Sequence, residues 1–274
     1  MIVALNFADK NYKKLQQLNT WTAKHIGKVD KVYSFYPEDI DKDFYERNKN
    51  ILSQKRGVGL WLWKPYFILK VLNGINNGDA LIYVDSGAFY VRKVDSLIFK
   101  LKASKQNIML FEQPLIECQW TKKPIFEALG KYDEKTRFSN QTLGTIIIII
   151  KSSNSYDFVK KWLELCQKEE LIFPQEKDNS EDFMYIANRE DQSILSVLGK
   201  KEGVIPFSDP TDYGKFPNQY LTYDRLFCMN KKEGVYVIEK PYFLLVRKVN
   251  AIKYSIVYSL KVFLNKLGLR KVNI

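Results

Sequence analysis

The first segment whose residues are suited to chemistry is Asp85-Ser86-Gly87, which follows the apolar run of residues 80–84. Ligands of open α/β sheets gather at the carboxyl ends of strands. A carboxylate there can hold a divalent cation that bridges two phosphates, and a glycine lets the backbone approach a ligand closely. An ordinary turn after a strand is the simpler interpretation, and both stay open for this segment taken alone.

The second segment, residues 56–65, combines positive charge, flat aromatic rings and flexible backbone. Its basic, glycine and tryptophan residues are Arg56, Gly57, Gly59, Trp61, Trp63 and Lys64. Such residues can bind phosphate and stack on a planar ligand. Pro65 predicts the first turn of a helix, whose N-terminus also favours anions. The glycine spacing matches neither a Walker loop nor the dinucleotide fingerprint. A core position for each tryptophan is the alternative.

Two more segments place polar side chains beside predicted elements. Residues 188–190 precede an amphipathic helix, with Asp191 predicted to cap it and Gln192 to project beside it. Asn140 and Gln141 lead into an isoleucine-rich strand, where polar groups could face a bound sugar. A capping role and a plain turn are the structural alternatives for these segments.

Strands that alternate with helices are predicted to position these side chains. Strands are predicted at residues 2–7, 29–35, 80–84, 108–111, 141–151, 203–207 and 234–238. Helices are predicted at residues 10–27, from Pro65 to about residue 72, and at 155–167 and 191–200. Residues 112–140 have no clear period and are predicted to be irregular. This alternation predicts a mainly parallel sheet with covered faces.

Composition excludes several classes of protein. The chain has 274 residues, 46% of them hydrophobic, so it can form a core and is not disordered. It has one histidine, His25, and three cysteines without a CxxC pair, which argues against zinc sites, disulfides and a Ser-His-Asp triad. No apolar run is long enough to span a membrane, and the N-terminus does not resemble a signal peptide. We therefore expect a cytoplasmic protein, soluble or peripheral to the membrane.

The positive charge is concentrated at the C-terminus. The net charge is +12, and residues 242–274 contain seven basic residues and no acidic one. Apolar residues recur there at spacings of three and four, which predicts a basic amphipathic helix. Such a helix can bind an anionic membrane surface, or pack on the rest of the chain with its basic side in water. Because the excess is concentrated there, a nucleic-acid-binding protein is a weaker interpretation.

Taken together and in this order, the segments resemble bacterial GT-A-type glycosyltransferases that assemble capsular, O-antigen or exopolysaccharide repeats. The similarity is closer to a group marked by GxGxWxWKP, YxDxG and DQSIL, which correspond here to residues 57–65, 83–87 and 191–195. It covers roughly residues 2–205. The resemblance implies a GT-A-like nucleotide-diphospho-sugar transferase fold of the α/β class. Its sheet would be mainly parallel with helices on both faces, and the C-terminal basic amphipathic helix would be added to it.

The resemblance also implies roles for individual residues. Asp85 would bind a divalent cation, Mn²⁺ or Mg²⁺, although Gly87 stands where the usual second carboxylate of the metal motif would be. Asp191 and Gln192 would lie under the transferred sugar as catalytic residues, with Glu190 as an extra candidate carboxylate. The residues implied to bind the nucleotide sugar are Asn6, Arg56, Gly59, Trp63, Lys64, Asp85, Ser86, Gly87, Asn140 and Gln141.

The function implied is transfer of a sugar from a nucleotide-diphosphate donor, a UDP-sugar above all, to a hydroxyl of a lipid-linked oligosaccharide. Residues 1–241 would form the catalytic domain, and residues 242–274 would hold it on the anionic inner face of the cytoplasmic membrane. The resemblance favours retention of the anomeric configuration over inversion. The missing second carboxylate supports the alternative of a catalytically inactive relative that assists envelope assembly.

Overall fold

A sheet of five strands forms the centre of the computed structural model, which describes residues 1–211, 226–229 and 256. The described strands are β1 (Ile2–Phe7), β2 (Lys31–Phe35), β3 (Ala80–Val84), β4 (Ala88–Tyr90), β5 (Ile108–Met109), β6 (Phe111–Ile116), β7 (Asn140–Thr142), β8 (Ile146–Ile150), β9 (Phe207–Ser208) and β10 (Phe227–Met229). The described helices are α1 (Lys13–Thr22), α2 (Lys42–Arg47), α3 (Lys49–Leu52), α4 (Gly57–Leu60), α5 (Trp63–Asn73), α6 (Asp95–Ala103), α7 (Glu117–Trp120), α8 (Lys123–Leu129), α9 (Glu134–Arg137), α10 (Ser153–Cys166), α11 (Glu169–Ile172) and α12 (Glu190–Lys201).

The central sheet has the order β2-β1-β3-β8-β5 and is mainly parallel. Strand β1 pairs in parallel with β2 and β3, whereas β8 runs antiparallel to both β3 and β5. A second sheet has the order β7-β6-β9, and β4 pairs with β10. Because β1 and β3 run in the same direction, their carboxyl ends meet at one edge of the sheet.

Strands β1, β3 and β8 of the central sheet are buried on both faces, which explains why they read as nearly continuous apolar runs. Leu5 and Ile149 belong to a core cluster that includes α5, α10 and α12, while Ile82 and Ile148 face the opposite cluster with α6. All five isoleucines of β8 are buried. The predicted α/β fold, with a mainly parallel central sheet and helices on both faces, is therefore confirmed.

The structure corrects some predicted elements. Residues 112–140 were expected to be irregular, but they contain β6 and three short helices before β7, whose turns are too brief to show a helical period. The predicted helix at 10–27 ends as α1 at Thr22 and continues as a π-helical turn, Ala23–Gly27. Helix α12 begins at Glu190, so Asp191 lies inside its first turn and does not cap it.

Some predictions concern residues outside the described part. The predicted strand at 234–238 lies there, and so does the predicted helix over 242–274 apart from Ile256. In the described residues, no helix combines the length and the apolar character needed to cross a membrane.

Candidate active site

A cavity of about 500 Å³ lies at the edge of the central sheet where β1 and β3 end. Its walls come from the segment after β1, from the residues before α5 and from the segment after β3. The lining residues are Phe7, Ala8, Asp9, Asn11, Tyr12, Leu15, Lys55, Gly57, Val58, Trp61, Trp63, Tyr83, Asp85, Ser86 and Gly87. This is the place where open α/β sheets bind their ligands.

Lys64 connects this cavity to helix α12. Its side chain is 4% exposed, and its Nζ lies 2.9 Å from Oδ2 of Asp191 and 3.8 Å from Oδ1 of Asp85. The same ammonium donates a hydrogen bond of 3.0 Å to the carbonyl oxygen of Gly144, in the link between β7 and β8. One buried cation therefore joins the end of β3, the first turns of α5 and α12, and the backbone before β8.

The charges in this group depend strongly on one another. Burial raises the pKa of Asp191 to about 7, although the cation of Lys64 opposes the rise and the carboxylates of Asp85 and Glu190 add to it. Burial would lower the pKa of Lys64, but the carboxylates of Asp191 and Asp85 raise it above its ordinary value. Lys64 therefore stays protonated, while Asp191 exchanges its proton near neutral pH.

The side chain of Asp85 is hydrogen-bonded to Tyr83 and also faces the cavity. The hydroxyl of Tyr83 donates a hydrogen bond to Oδ1 of Asp85, and burial raises the pKa of Tyr83 well above its ordinary value. The Oγ of Ser86 donates to the carbonyl oxygen of Phe7 at 2.6 Å, which ties the residue after Asp85 to the end of β1. The Asp85 side chain is 34% exposed. Its carboxylate is thus positioned to meet a ligand.

Glu190 is not open to the cavity, because Arg56 covers it. The Nε of Arg56 lies 2.6 Å from Oε1 of Glu190, whose side chain is 3% exposed, whereas that of Arg56 is 60% exposed. Burial raises the pKa of Glu190, and the guanidinium of Arg56 opposes the rise. Glu190 also has a left-handed backbone, with φ of 37°.

The residues that connect Arg56 to α5 include the short element α4, and they form an unusual left-handed turn. Residues 57–61 all have positive φ, and three of them, Val58, Leu60 and Trp61, are not glycine. Left-handed backbone costs roughly 1–2 kcal/mol for each such residue. The turn lines the cavity. The Nε1 of Trp63 donates a hydrogen bond of 2.9 Å to the carbonyl oxygen of Gly57, and this bond stabilises the turn. Strain of this kind is concentrated at functional sites.

The remaining predicted residues differ in their burial and in whether they line the cavity. Trp63 is buried and stacks on Phe7 with ring centres 3.8 Å apart, and it is also one of the residues that line the cavity. Gly59 is buried in the left-handed turn and is absent from the cavity lining. The side chain of Gln192 accepts a hydrogen bond from the amide of Gly144 and donates to Oε1 of Gln141, which is itself buried.

Of the predicted site residues, Trp63, Asp85, Ser86 and Gly87 line the cavity, and the others lie outside its lining, Asn140 and Asn6 among them. The Nδ2 of Asn140, which is exposed, lies 3.4 Å from Oε2 of Glu112. Asn6 is fully buried and donates to Oδ1 of Asn19, whose own amide donates to the carbonyl oxygen of Asp85. Asn6 therefore supports the backbone after β3 from within the core.

Several residues that line the cavity were not predicted from the sequence. Asp9, Asn11 and Tyr12 follow β1 in the same way as Asp85 follows β3, and Lys55 precedes the tryptophan segment. Polar residues after a buried strand are the signal that could have found the first three. No comparable signal marks Lys55.

The described residues around Asp85 do not fit a divalent-cation site. In the parts of the chain that the structure describes, no group of three His, Cys, Asp or Glu side chains is placed to hold a metal ion. Gly87 offers no side-chain donor, and Oδ1 of Asp85 already accepts from Tyr83 and faces the ammonium of Lys64. A hard cation such as Mg²⁺ or Mn²⁺ needs oxygen ligands that are free to coordinate it.

Comparison with known proteins finds similarity in solved structures only. No protein-family model matches the chain, and no curated protein matches it. Three similar structures are those of mouse xyloside xylosyltransferase 1 in its apo form, of the galactosyltransferase LgtC with donor and acceptor sugar analogues, and of a glycosyltransferase involved in glycosylation of the major capsid of PBCV-1.

These similarities are distant. Sequence identities are 9%, 12% and 12%, and TM-scores are 0.48, 0.49 and 0.44, in the same order. The matches cover 86%, 92% and 93% of this chain and 100%, 96% and 98% of the others. At these values no residue role is transferred from these structures to this chain.

Proposed function

We propose that this protein is a glycosyltransferase that moves a sugar from a nucleotide-diphosphate donor, a UDP-sugar above all, to an acceptor hydroxyl. The observation that carries the proposal is the position of Lys64 between Asp85 and Asp191. It joins the strand-end motif that lines the cavity to the Asp-Gln pair of α12. These motifs are more than a hundred residues apart in sequence, and both belong to the resemblance described above.

The cavity offers suitable chemistry for the nucleotide part of the donor. The rings of Tyr12 and Trp61 provide flat surfaces for a nucleobase. Lys55 supplies positive charge for the diphosphate, and the carboxylate of Asp85 can accept hydrogen bonds from sugar hydroxyls. The transferred sugar would then lie toward Gln192 and Gly144, where α12 approaches the link between β7 and β8.

The proposed reaction retains the anomeric configuration. The acceptor hydroxyl attacks the anomeric carbon, the bond from that carbon to the β-phosphate oxygen breaks, and the departing phosphate takes the hydroxyl proton. Inversion would need a base, and neither carboxylate predicted for that role is accessible, because Asp191 is buried against Lys64 and Glu190 is buried under Arg56. Asp191 and Gln192 would instead lie beneath the sugar, where their side-chain oxygens stabilise the positive charge that develops at the anomeric carbon.

The proposed acceptor is a lipid-linked oligosaccharide at the inner face of the cytoplasmic membrane. Residues 242–274, nearly all outside the described part, would provide attraction to that surface in support of the catalytic region, residues 1–241. Each basic residue near an anionic leaflet contributes about 1 kcal/mol. The seven basic residues without an acidic one support this part of the proposal.

A screen of UDP-, GDP- and CMP-sugars tests the activity. We expect one donor to raise the melting temperature and to be turned over, with the product anomer read by NMR. The variant Asp191→Asn should keep donor binding and lose most of the turnover. A protein that neither binds nor hydrolyses any donor would instead be the inactive relative.

Vesicle binding tests the membrane part. Replacing Lys266, Arg270 and Lys271 by glutamine in the full chain should weaken binding to phosphatidylglycerol vesicles. The matched control replaces three exposed lysines of the N-terminal segment, Lys10, Lys13 and Lys14, and should leave binding nearly unchanged. Equal losses in both variants would show that the tail has no special role.

A further inference from the structure

The environment of Lys64 resembles that of a bound cation. Its ammonium has three oxygen neighbours from three separate parts of the chain: Asp191 at 2.9 Å, Gly144 at 3.0 Å and Asp85 at 3.8 Å. Two of these neighbours are carboxylates, and hard metal ions use the same donors. The ammonium therefore fills a position between the carboxylates that a cation of another kind would otherwise occupy.

A divalent ion at Asp85 would meet this positive charge. The ammonium of Lys64 lies between two carboxylates and its side chain is buried, so water screens its positive charge little. The position two residues after Asp85, where a second carboxylate could bind a metal, is Gly87. A metal bound to Asp85 would thus be repelled by Lys64 and would have one carboxylate from this segment.

We propose that Lys64 takes the place of a divalent metal at this site, so that the protein binds its nucleotide donor without one. This inference rests on the proposed glycosyltransferase function. Lys64 holds Asp85 and Asp191 in fixed positions and supplies a permanent positive charge beneath the cavity. Lys55, in the cavity wall, adds a second positive charge toward the diphosphate.

Metal-dependent binding of UDP tests the proposal on the full chain. UDP is titrated calorimetrically with excess EDTA and again with excess MnCl₂. We expect the two dissociation constants to agree within about threefold. Mn²⁺ that strengthens UDP binding by about tenfold or more would overturn the proposal, and loss of that gain in Asp85→Asn would show that the metal binds at Asp85. The matched control is Asp9→Asn, which removes another carboxylate of the same cavity.

The variant Lys64→Met tests whether the ammonium of Lys64 occupies a position that a metal ion could otherwise fill. Without the ammonium, Asp85 and Asp191 face each other and should now bind Mn²⁺, detected by loss of the free-ion signal in electron paramagnetic resonance. A folded Lys64→Met protein that binds no Mn²⁺ would contradict the idea that the ammonium fills a cation position. If the variant does not fold by circular dichroism, the wild-type titrations decide.

The design separates this inference from the proposed function. If wild-type protein binds no nucleotide with or without Mn²⁺, the proposed function fails. The metal inference is then judged from Mn²⁺ binding to the protein alone. One ion bound per chain and lost in Asp85→Asn would overturn it, whereas no binding would support it.

Discussion

The ion pair between Arg56 and Glu190 joins two strained parts of the backbone. Arg56 precedes the left-handed turn of residues 57–61, and Glu190 has a positive φ at the start of α12. The turn lines the cavity, and α12 carries Asp191 directly after Glu190. This pair therefore fixes the position of the cavity wall relative to the proposed catalytic helix.

Removal of Arg56 should destabilise the fold and weaken donor binding together. In Arg56→Ala, Glu190 loses its partner while it remains buried, so the free energy of unfolding should fall by about 1–3 kcal/mol. Urea denaturation measures this change, and calorimetry measures binding of UDP. The control Arg47→Ala removes an exposed arginine of α2 and should change neither quantity. Similar effects of the two variants would show that the Arg56–Glu190 pair has no structural importance.

Lys64 and Asp191 should be strongly coupled in stability. Lys64→Met leaves a buried carboxylate without its cation, and at about pH 8 we expect a loss of ~3–5 kcal/mol. Asp191→Asn in the same chain removes that charge, so the double variant should recover a large part of the loss. A double-mutant cycle in urea measures the coupling. Losses that simply add would mean that the contact contributes little.

The sequence was sufficient to predict the strand that ends before Asp85 and the helices that begin near Pro65 and Asp191. Residues 80–84 form a strand as predicted, because a continuous apolar run suits a sheet covered on both faces. This placed Asp85 at the carboxyl edge. The helix predicted to begin near Pro65 is α5, and Asp191 lies near the start of α12 within one residue of its predicted position.

Other features depend on contacts that a linear pattern does not encode. Lys64 was predicted to face phosphate, whereas its Nζ is buried between two carboxylates from distant segments. The left-handed turn was not predicted, since valine, leucine and tryptophan do not favour positive φ. Which of Trp61 and Trp63 is buried also depends on that turn, because it directs Trp63 onto Phe7.

Gly59 should be essential to the left-handed turn. Its φ is 91°, and a Cβ at this position would lie 2.8 Å from the Cα of Leu52. Gly59→Ala therefore combines backbone strain with a backbone clash, and we expect a loss of about 2 kcal/mol or more in urea unfolding. The control is Gly74→Ala, where φ is negative and the nearest atom is 3.6 Å away, so stability should change little. An equal loss of stability in both variants would show that the left-handed turn does not specifically require glycine at position 59.

The free energy of unfolding should depend on pH through the titration of Asp191. Its pKa is about 7 in the folded chain because of burial, against an ordinary value of 3.8. The folded state therefore holds a proton that the unfolded state has released, and the stability from this group is fully present below the unfolded pKa. It is lost progressively as pH rises toward the folded pKa and changes no further above it.

Comparison with Asp191→Asn isolates this effect, because the amide does not titrate. The free energy of unfolding of the wild type minus that of Asp191→Asn should fall between about pH 4 and pH 7, by an amount on the order of a few kcal/mol, and then level off. Urea denaturation at a series of pH values measures the difference. Asp43→Asn, at an exposed carboxylate of α2, provides the reference slope. A difference for Asp191→Asn that stays flat or rises over this range would mean that the Asp191 carboxylate is ionised in the folded protein well below neutral pH.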